Sequence, residues 1–309
     1  MDQPIDVLGL GSAAIDDILY VDTYPLPDTK IRVARWERRC GGLTGTALVA
    51  AARLGARCSY AGRLGLDQNS RLVEENFALE QIDASHAPRA VENGVVSSTI
   101  IVAMDTGTRN IFSHASGLTG AHEGAPSESI IKNSRVLLVD HHGIPGAIRA
   151  CSIARGAGIP VVADLERADH ARFDDLLAAI DHLILSETFA LRITGCSTAR
   201  AAIGKLWIPE RAAIIVTCGA EGCWFAGSAN TPCKFPGYRV SARDTAGCGD
   251  VFHGAYAAGL AFGMDLIQRL RLASASAALY ASRSGEHRIP RREDVRTFRE
   301  TAELESMPT

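Results

Sequence analysis

The sequence predicts an α/β protein in which a doubly wound, largely parallel sheet carries a small antiparallel β-sheet. Short apolar strands alternate with amphipathic helices through most of the 309 residues, and strands that are apolar along their whole length are typical of a parallel sheet covered on both faces. Two segments, about 15–39 and 93–115, break this alternation, because they carry β-branched residues without helical periodicity. We expect these two segments to form the small sheet.

The predicted elements follow one another in the order that a doubly wound sheet requires. Strands are predicted at 5–11, 135–140, 159–164, 182–185 and 213–218. Helices are predicted at 47–56, 145–157, 173–180 and about 247–262. The last of these helices begins in a glycine-rich turn.

Composition excludes several classes of function. The chain is 47% hydrophobic and 22% charged, with a formal net charge of −3, which gives no sign of binding to nucleic acid or to an anionic membrane. Its apolar stretches are far shorter than the ~18 residues that a membrane span needs. The first residues lack the pattern of a signal peptide, so a cytoplasmic location is expected.

The eight cysteines show no Cys-x-x-Cys pair and no cluster with zinc spacing. We therefore expect reduced thiols. Cys248 differs from the others because it lies in the turn before the last predicted helix, where the helix N-terminus could lower its pKa. The alternative is that Cys248 is a small side chain that only fills space.

Segment 244–250, Asp-Thr-Ala-Gly-Cys-Gly-Asp, carries the strongest chemical signal. Gly247 and Gly249 permit positive φ angles and close approach to a ligand, and the helix that starts here directs the amides of residues 246–249 toward an anion. A carboxylate at Asp250 suits removal of a proton from a hydroxyl that attacks a phosphoryl group. The alternative is an ordinary helix start whose carboxylate complements the helix dipole.

The same segment, together with Gly41-Gly42 and the early Gly-Ser-x-x-x-Asp that ends at Asp16, resembles the ribokinase (phosphofructokinase-B) family of carbohydrate kinases along essentially the whole chain. The resemblance implies one kinase domain over 1–309, in which segments 15–39 and 93–115 form a lid over the sugar and a homodimer interface. It also implies ATP-dependent phosphorylation of a primary hydroxyl of a sugar or an acidic sugar derivative. Asp250 would be the base, and the transferring group would contact Ala246, Gly247, Cys248 and Gly249.

The resemblance also assigns the sugar side of the site. Its expected contacts are Asp16, Gly41, Gly42 and Thr46. Leu43 and Thr46 depart from the ribokinase pattern, which argues against ribose. Runs near residues 41–47 and 249–255 are similar to the sulfofructose kinase branch, in which Lys30 matches an anion-contacting lysine. An acidic group on the substrate is therefore expected to face Lys30, His114 and His142, each of which could instead be a surface or lid residue.

On the nucleotide side, Thr217-x-Gly219-x-x-Gly222 resembles the family's turn that meets the ATP phosphates; an ordinary hairpin is the alternative. Nucleotide contacts are also expected from Ser186 and Thr245, and the adenine is expected against residues 275–285. The family's Asn-x-x-Glu motif is altered here, so the resemblance leaves two alternatives: a water-mediated contact of Mg²⁺ with Glu187 or Glu166, or a looser magnesium site. The turn at 282–285 could add carbonyls to a K⁺ site.

Three alternatives remain at this stage. Gly9-Leu10-Gly11 follows a strand and superficially suits a dinucleotide-binding turn, but the chain continues as a strand instead of the required helix. A nucleoside kinase would need a pair of aromatic rings to stack a base. A sugar-binding regulator without turnover is suggested by the altered magnesium motif, and the intact Asp250 argues against it.

Overall fold

The computed structural model of the chain describes residues 4–106, 108–283, 285 and 288–302. Its strands are β1 (Ile5–Leu10), β2 (Ala14–Val21), β3 (Arg35–Gly41), β4 (Cys58–Tyr60), β5 (Val96–Ala103), β6 (Arg109–Ala115), β7 (Ser134–Asp140), β8 (Val161–Asp164), β9 (His182–Ser186), β10 (Ala213–Thr217), β11 (Cys223–Ala226) and β12 (Cys233–Phe235). Its α-helices are α1 (Leu43–Arg53), α2 (Gln68–Leu79), α3 (Glu128–Lys132), α4 (Ile144–Gly156), α5 (Phe173–Ala178), α6 (Glu187–Thr194), α7 (Ala199–Leu206), α8 (Cys248–Ala261), α9 (Leu266–Ser282) and α10 (Arg292–Thr301).

The main sheet has eight strands in the order β12-β11-β10-β9-β8-β7-β1-β4. The six strands from β10 to β4 are parallel, and the hairpin partners β11 and β12 add an antiparallel edge. Helices α1, α2, α8, α9 and α10 cover one face, while α3 to α7 cover the other. Both faces are therefore buried, which explains why the central strands are apolar throughout. The predicted fold class is confirmed.

Helix α1 begins at Leu43, four residues earlier than predicted. Gly42 precedes it with a φ of 89°, a left-handed conformation that side chains rarely adopt. A Cβ at Gly42 would also lie 2.7 Å from the Cα of Ala13. This glycine therefore sets the start of α1 close against the segment that leads into β2.

The small sheet consists of four strands in the order β3-β2-β5-β6. Its two outer pairs are antiparallel, as predicted, but the central pair, β2 with β5, is parallel. The difference has a topological cause: β3, α1, β4 and α2 intervene between β2 and β5, so these two strands are joined by a long crossover and not by a hairpin.

Two rungs of the small sheet matter for the site. At the end next to the main sheet, paired residues run across all four strands in the order Gly41, Ala14, Val96 and Ala115. Two residues further out, the rung is polar and consists of Arg39, Asp16, Ser98 and Ser113.

No helix within the described parts of the chain is long and apolar enough to cross a membrane.

Helices α1 and α8 approach each other closely at Gly254. A Cβ at Gly254 would lie 2.0 Å from the carbonyl oxygen of Ala47 on α1, so only glycine permits this backbone contact. We predict that Gly254→Ala lowers the free energy of unfolding by about 1–3 kcal/mol, the usual cost of overpacking a well-packed core.

The matched control is Gly204→Ala. Gly204 lies on the exposed side of α7, and no atom would lie within 4 Å of its added Cβ. This variant should gain about 0.5–1 kcal/mol, because glycine weakens a helix interior. Urea unfolding of the two variants measures both values, and equal stability of Gly254→Ala and the parent would contradict the packing argument.

Candidate active site

Two neighbouring cavities lie at the carboxyl edge of the main sheet. The acidic cavity has a volume of about 340 Å³, opens beneath the small sheet, and is lined by Asp16, Glu166, Asp244 and Asp250 among others. The apolar cavity has a volume of about 410 Å³ and is lined by Phe252 and by alanines of α9. Ligands of open α/β sheets bind at this edge.

The turn at 246–250, which includes the first residues of α8, forms the border between the two cavities. Ala246, Gly247 and Asp250 line the acidic cavity, whereas Cys248 and Gly249 line the apolar one. A group that joins a ligand in one cavity to a ligand in the other would therefore lie against this turn. The free amides at the start of a helix favour an anionic group in such a position.

The two glycines of this turn have different reasons to be glycine. Gly247 caps α8 with a φ of 83°, and a Cβ there would lie 2.8 Å from the hydroxyl of Tyr280. Gly249 is not among the residues with positive φ, and the space beside it is open. The expected positive φ therefore holds for Gly247 alone, and a side chain at Gly249 would enter the space that a ligand would use.

Asp250 lies in the first turn of α8 beside several other carboxylates. Burial raises its pKa, and the negative charges of Asp164 and Glu166 raise it further. The pKa of Asp164 is raised for the same reasons. A carboxylate with a raised pKa is a stronger proton acceptor, which suits a general base.

Asp140, at the end of β7, is fully buried and hydrogen-bonded to Ser12 and His142, which line the acidic cavity. One carboxylate oxygen accepts from the Ser12 amide at 2.6 Å, the Ser12 hydroxyl at 2.9 Å and the Thr44 hydroxyl at 2.9 Å. The other accepts from the His142 amide at 2.7 Å. Burial alone would raise its pKa, but His142 and the other donors hold the pKa below its usual value.

Sequence reasoning missed Asp140. Its signal was present, because an acidic residue that ends an apolar strand of a parallel sheet lies at the edge where ligands bind.

Four of the expected sugar contacts, Asp16, Gly41, Gly42 and Thr46, do line the acidic cavity. A Cβ at Gly41 would lie 2.3 Å from an Asp16 carboxylate oxygen, so Gly41 leaves room for that side chain. Burial raises the pKa of Asp16, while a hydrogen bond with Ser98 lowers it in part. The structure thus brings Asp16 and Asp250 to one cavity from opposite ends of the sequence.

Two of the three residues expected to face an acidic group do not reach the acidic cavity. Lys30 is exposed in the connection between β2 and β3, and His114 lies on the face of β6 opposite to Ser113, because side chains alternate along a strand. His142 does line the cavity. Arg109 and Arg167 line it as well.

The nucleotide-side predictions mostly fall in the apolar cavity. Its lining includes the predicted residues Thr217, Gly219, Gly222 and Thr245, with Ala277, Ala278 and Ala281 from α9. Ser186 is not among these residues; its hydroxyl accepts from the Phe189 amide and caps α6. Within the predicted turn at 282–285, Ser284 lies outside the described residues.

Cys248 lines the apolar cavity, but the prediction of a lowered pKa is wrong. Burial raises the pKa of its thiol to about 11, which outweighs the effect of the helix N-terminus. A thiol with so high a pKa is unreactive at neutral pH. The space-filling alternative is therefore the better description of this side chain.

The two candidate metal contacts occupy different places. Glu166 lines the acidic cavity and acts electrostatically on Asp250, whereas Glu187 starts α6 and is absent from the lining of both cavities. Among the residues that the structure describes, no group of three or more His, Cys, Asp or Glu could enclose a metal ion. Mg²⁺ does not need such a cage, because one or two carboxylates and substrate phosphates usually hold it.

Similar sequences are sugar kinases. The chain is 28% identical over 304 residues to the ribokinase of Haemophilus influenzae, covering 95% of this chain and 98% of that one. It is 22% identical to the 5-dehydro-2-deoxygluconokinase of Shouchella clausii, covering 96% of both chains.

Solved structures agree in fold. A provisionally assigned ribokinase from Agrobacterium tumefaciens superposes with a TM-score of 0.87 at 27% identity, covering 96% of this chain and 98% of that one. The Arabidopsis thaliana ribokinase in complex with ribose and ATP superposes with a TM-score of 0.81 at 22% identity, covering 97% and 99%. The family model described as pfkB family carbohydrate kinase matches residues 5–291, and the chain therefore belongs to the pfkB family of carbohydrate kinases.

Proposed function

We propose that this carbohydrate kinase transfers the γ-phosphoryl group of ATP to a primary hydroxyl of an acidic sugar. The observation that carries the proposal is the position of the turn at 246–250, whose residues are divided between the acidic cavity and the apolar cavity. A sugar in one cavity and a nucleotide in the other would meet at this turn. The Arabidopsis relative binds ribose and ATP, which supports the same pairing of ligands here.

Asp250 would accept the proton of the attacking hydroxyl, and Asp16 would orient the sugar through neighbouring hydroxyls. The amides of Gly247 and Gly249 would contact the transferring phosphoryl oxygens, because the Ala246 amide donates to the Asp244 carboxylate and the Cys248 amide donates to the Thr245 carbonyl. The donor set around Asp250 fits Mg²⁺, because crowded carboxylates with raised pKa values favour a nearby cation. Glu166 would hold the ion, which supplies positive charge for the phosphates.

The acidic substituent would face Arg109 and Arg167. Both are exposed in the acidic cavity, and within the described ranges neither forms an ion pair. The guanidinium of Arg109 donates to the Thr245 hydroxyl at 3.4 Å. Guanidinium groups suit carboxylate and sulfonate oxygens because they offer two parallel N–H donors.

Stacking of a base, which a nucleoside kinase would need, has little support. Tyr280 is the one Phe, Tyr or Trp among the described residues that line the acidic cavity. Trp36 and Phe112 lie on the outer face of the small sheet, since they pair with Leu19 and Thr99 and alternate with the residues that line the cavity.

The outer face of the small sheet would form a homodimer interface. Trp36 and Phe112 are 57% and 55% exposed there, and β6 is an exposed edge strand. Large exposed apolar side chains and open edges are features that a partner normally covers.

We predict that Asp250→Asn lowers kcat by about 10²- to 10⁴-fold, because the substitution removes the base but preserves its shape. ATP binding, measured by calorimetry, should change little. Release of ADP with an acidic sugar measures kcat, and a variant that keeps more than about a tenth of the parental kcat would exclude Asp250 as the base.

The same variant has a second readout in its stability. The raised pKa of Asp250 means that the folded state binds more protons than the unfolded chain above pH ~4, so this residue destabilises the fold as pH rises. Asp250→Asn should therefore have a higher Tm than the parent at neutral pH, and the difference should close toward pH ~4. The control Asp17→Asn, on the outer face of β2 in an ion pair with Arg38, should keep full activity.

We predict that Arg167→Gln and Arg109→Gln lower kcat/KM for an acidic sugar by about 10- to 150-fold, the effect of losing a charge-assisted hydrogen bond. The loss should be much smaller for the matched neutral sugar. Arg172→Gln is the control, because Arg172 pairs with Asp175 outside the cavity. Equal losses for the acidic and neutral sugars would rule out these contacts.

We predict that the parent protein has the mass of two chains in solution and that Phe112→Asp has the mass of one, because a charge cannot be buried unpaired in an interface. Light scattering measures both masses. Val91→Asp, at a residue 83% exposed outside the small sheet, should leave the mass unchanged. A parent with the mass of one chain would contradict the dimer.

A further inference from the structure

A buried guanidinium lies at the beginning of the turn that borders both cavities. The side chain of Arg288 is only 3% exposed. It forms an ion pair with the Asp244 carboxylate and donates to the main-chain oxygen of Asp244 at 2.7 Å and to that of Ala246 at 3.4 Å. Its guanidinium carbon also lies 4.0 Å from the centre of the Tyr280 ring.

The oxygens around this guanidinium need a cation. A carboxylate and two carbonyls can only accept hydrogen bonds. Here these oxygens come from residues 244–246 and all contact the same guanidinium. Hard metal cations take the same kind of oxygen ligands. Here the planar fork of Arg288 supplies the positive charge and fixed donor directions at once.

The guanidinium also connects the turn to its surroundings. Asp244 accepts from the amide of Ala246 at 2.9 Å, which closes the turn on itself. Arg39, on β3 of the small sheet, lies 3.9 Å from the same carboxylate. Tyr280 packs beneath Arg288 and beside Gly247. The position of residues 246–249 therefore depends on Asp244, and Asp244 depends on Arg288.

A K⁺ ion does not fit between these oxygens, because the Arg288 guanidinium already occupies the space that they share. The K⁺ site expected from the turn at 282–285 therefore cannot draw on Asp244 or on the carbonyl of Ala246. The guanidinium of Arg288 gives these oxygens the positive charge that a bound monovalent cation would otherwise supply.

We propose that Arg288 is a positioning residue that serves as a permanent cation for the phosphoryl-binding turn, so that the reaction needs no monovalent metal ion. The inference rests on the proposed phosphoryl transfer. It adds that the amides of 246–249 keep their positions through a side chain of the protein, which the solvent cannot exchange.

The first experiment compares ADP release by the parent protein in KCl, NaCl and tetramethylammonium chloride at equal ionic strength, with Mg²⁺ and an acidic sugar present. The same rate within about twofold is expected in all three salts, an allowance for general salt effects on exposed charges. Activity that appears only with K⁺ would overturn the proposal. Absence of activity in every salt would instead count against the proposed function.

The second experiment tests Arg288 directly. Arg288→Ala should lower kcat by about 10²-fold with a smaller change in the KM of the sugar, because misplaced phosphoryl contacts act in the transition state. Millimolar guanidinium or K⁺ should restore part of the loss, and tetramethylammonium should not. A loss that no cation restores would show a purely structural role and overturn the proposal.

Arg296→Ala is the control, because the Arg296 guanidinium pairs with Glu293 and Glu300 on α10, outside both cavities. It should keep the parental kcat. If circular dichroism shows that Arg288→Ala does not fold, Arg288→Lys is used for the test instead. Lysine keeps the positive charge but lacks the planar guanidinium with its fixed N–H donors. The kcat of Arg288→Lys should fall without any response to K⁺; a kcat restored by K⁺, or one equal to the parent's, would contradict the proposal.

Discussion

The crowding of carboxylates at the carboxyl edge of the parallel sheet is the constraint on which the rest of the site depends. Parallel strands bring their carboxyl ends to one edge of the sheet, so Asp140 at the end of β7 and Asp164 at the end of β8 lie near Asp250 at the start of α8. Each would repel the others if all were charged and bare. The surrounding chain must therefore supply hydrogen-bond donors and positive charges to the carboxylates. Most of the other residues of the site are such donors or charges.

The protein treats two of these carboxylates in opposite ways. Asp140 receives amide and hydroxyl donors from Ser12, Thr44 and His142, which hold it ionised and tie together the ends of β1, α1 and β7. Asp250 receives none of these donors, and its pKa rises. Different environments thus give the same functional group a structural task at Asp140 and, in the proposed function, the role of base at Asp250.

The sequence predicted the main sheet well, because buried parallel strands are apolar throughout and are easily recognised. It also predicted the helix that begins near Gly247, since a glycine-rich helix start is a local pattern. It could not locate Lys30, because 22–34 has no regular structure from which to infer a direction. His114 was misplaced because the register of β6 decides which face it occupies, and Arg288 was missed because a single arginine forms no pattern.

The rung of Gly41, Ala14, Val96 and Ala115 has a mechanical consequence. All four strands of the small sheet join the rest of the chain at or beside this rung, because the parallel central pair makes both inner strands leave from the same end. A sheet that is connected to the rest of the chain along one edge can rotate about that edge as a rigid body. The polar rung of Asp16 lies only two residues from that edge, where such a rotation displaces atoms least, so the Asp16 carboxylate would keep its place while the outer part of the sheet moves.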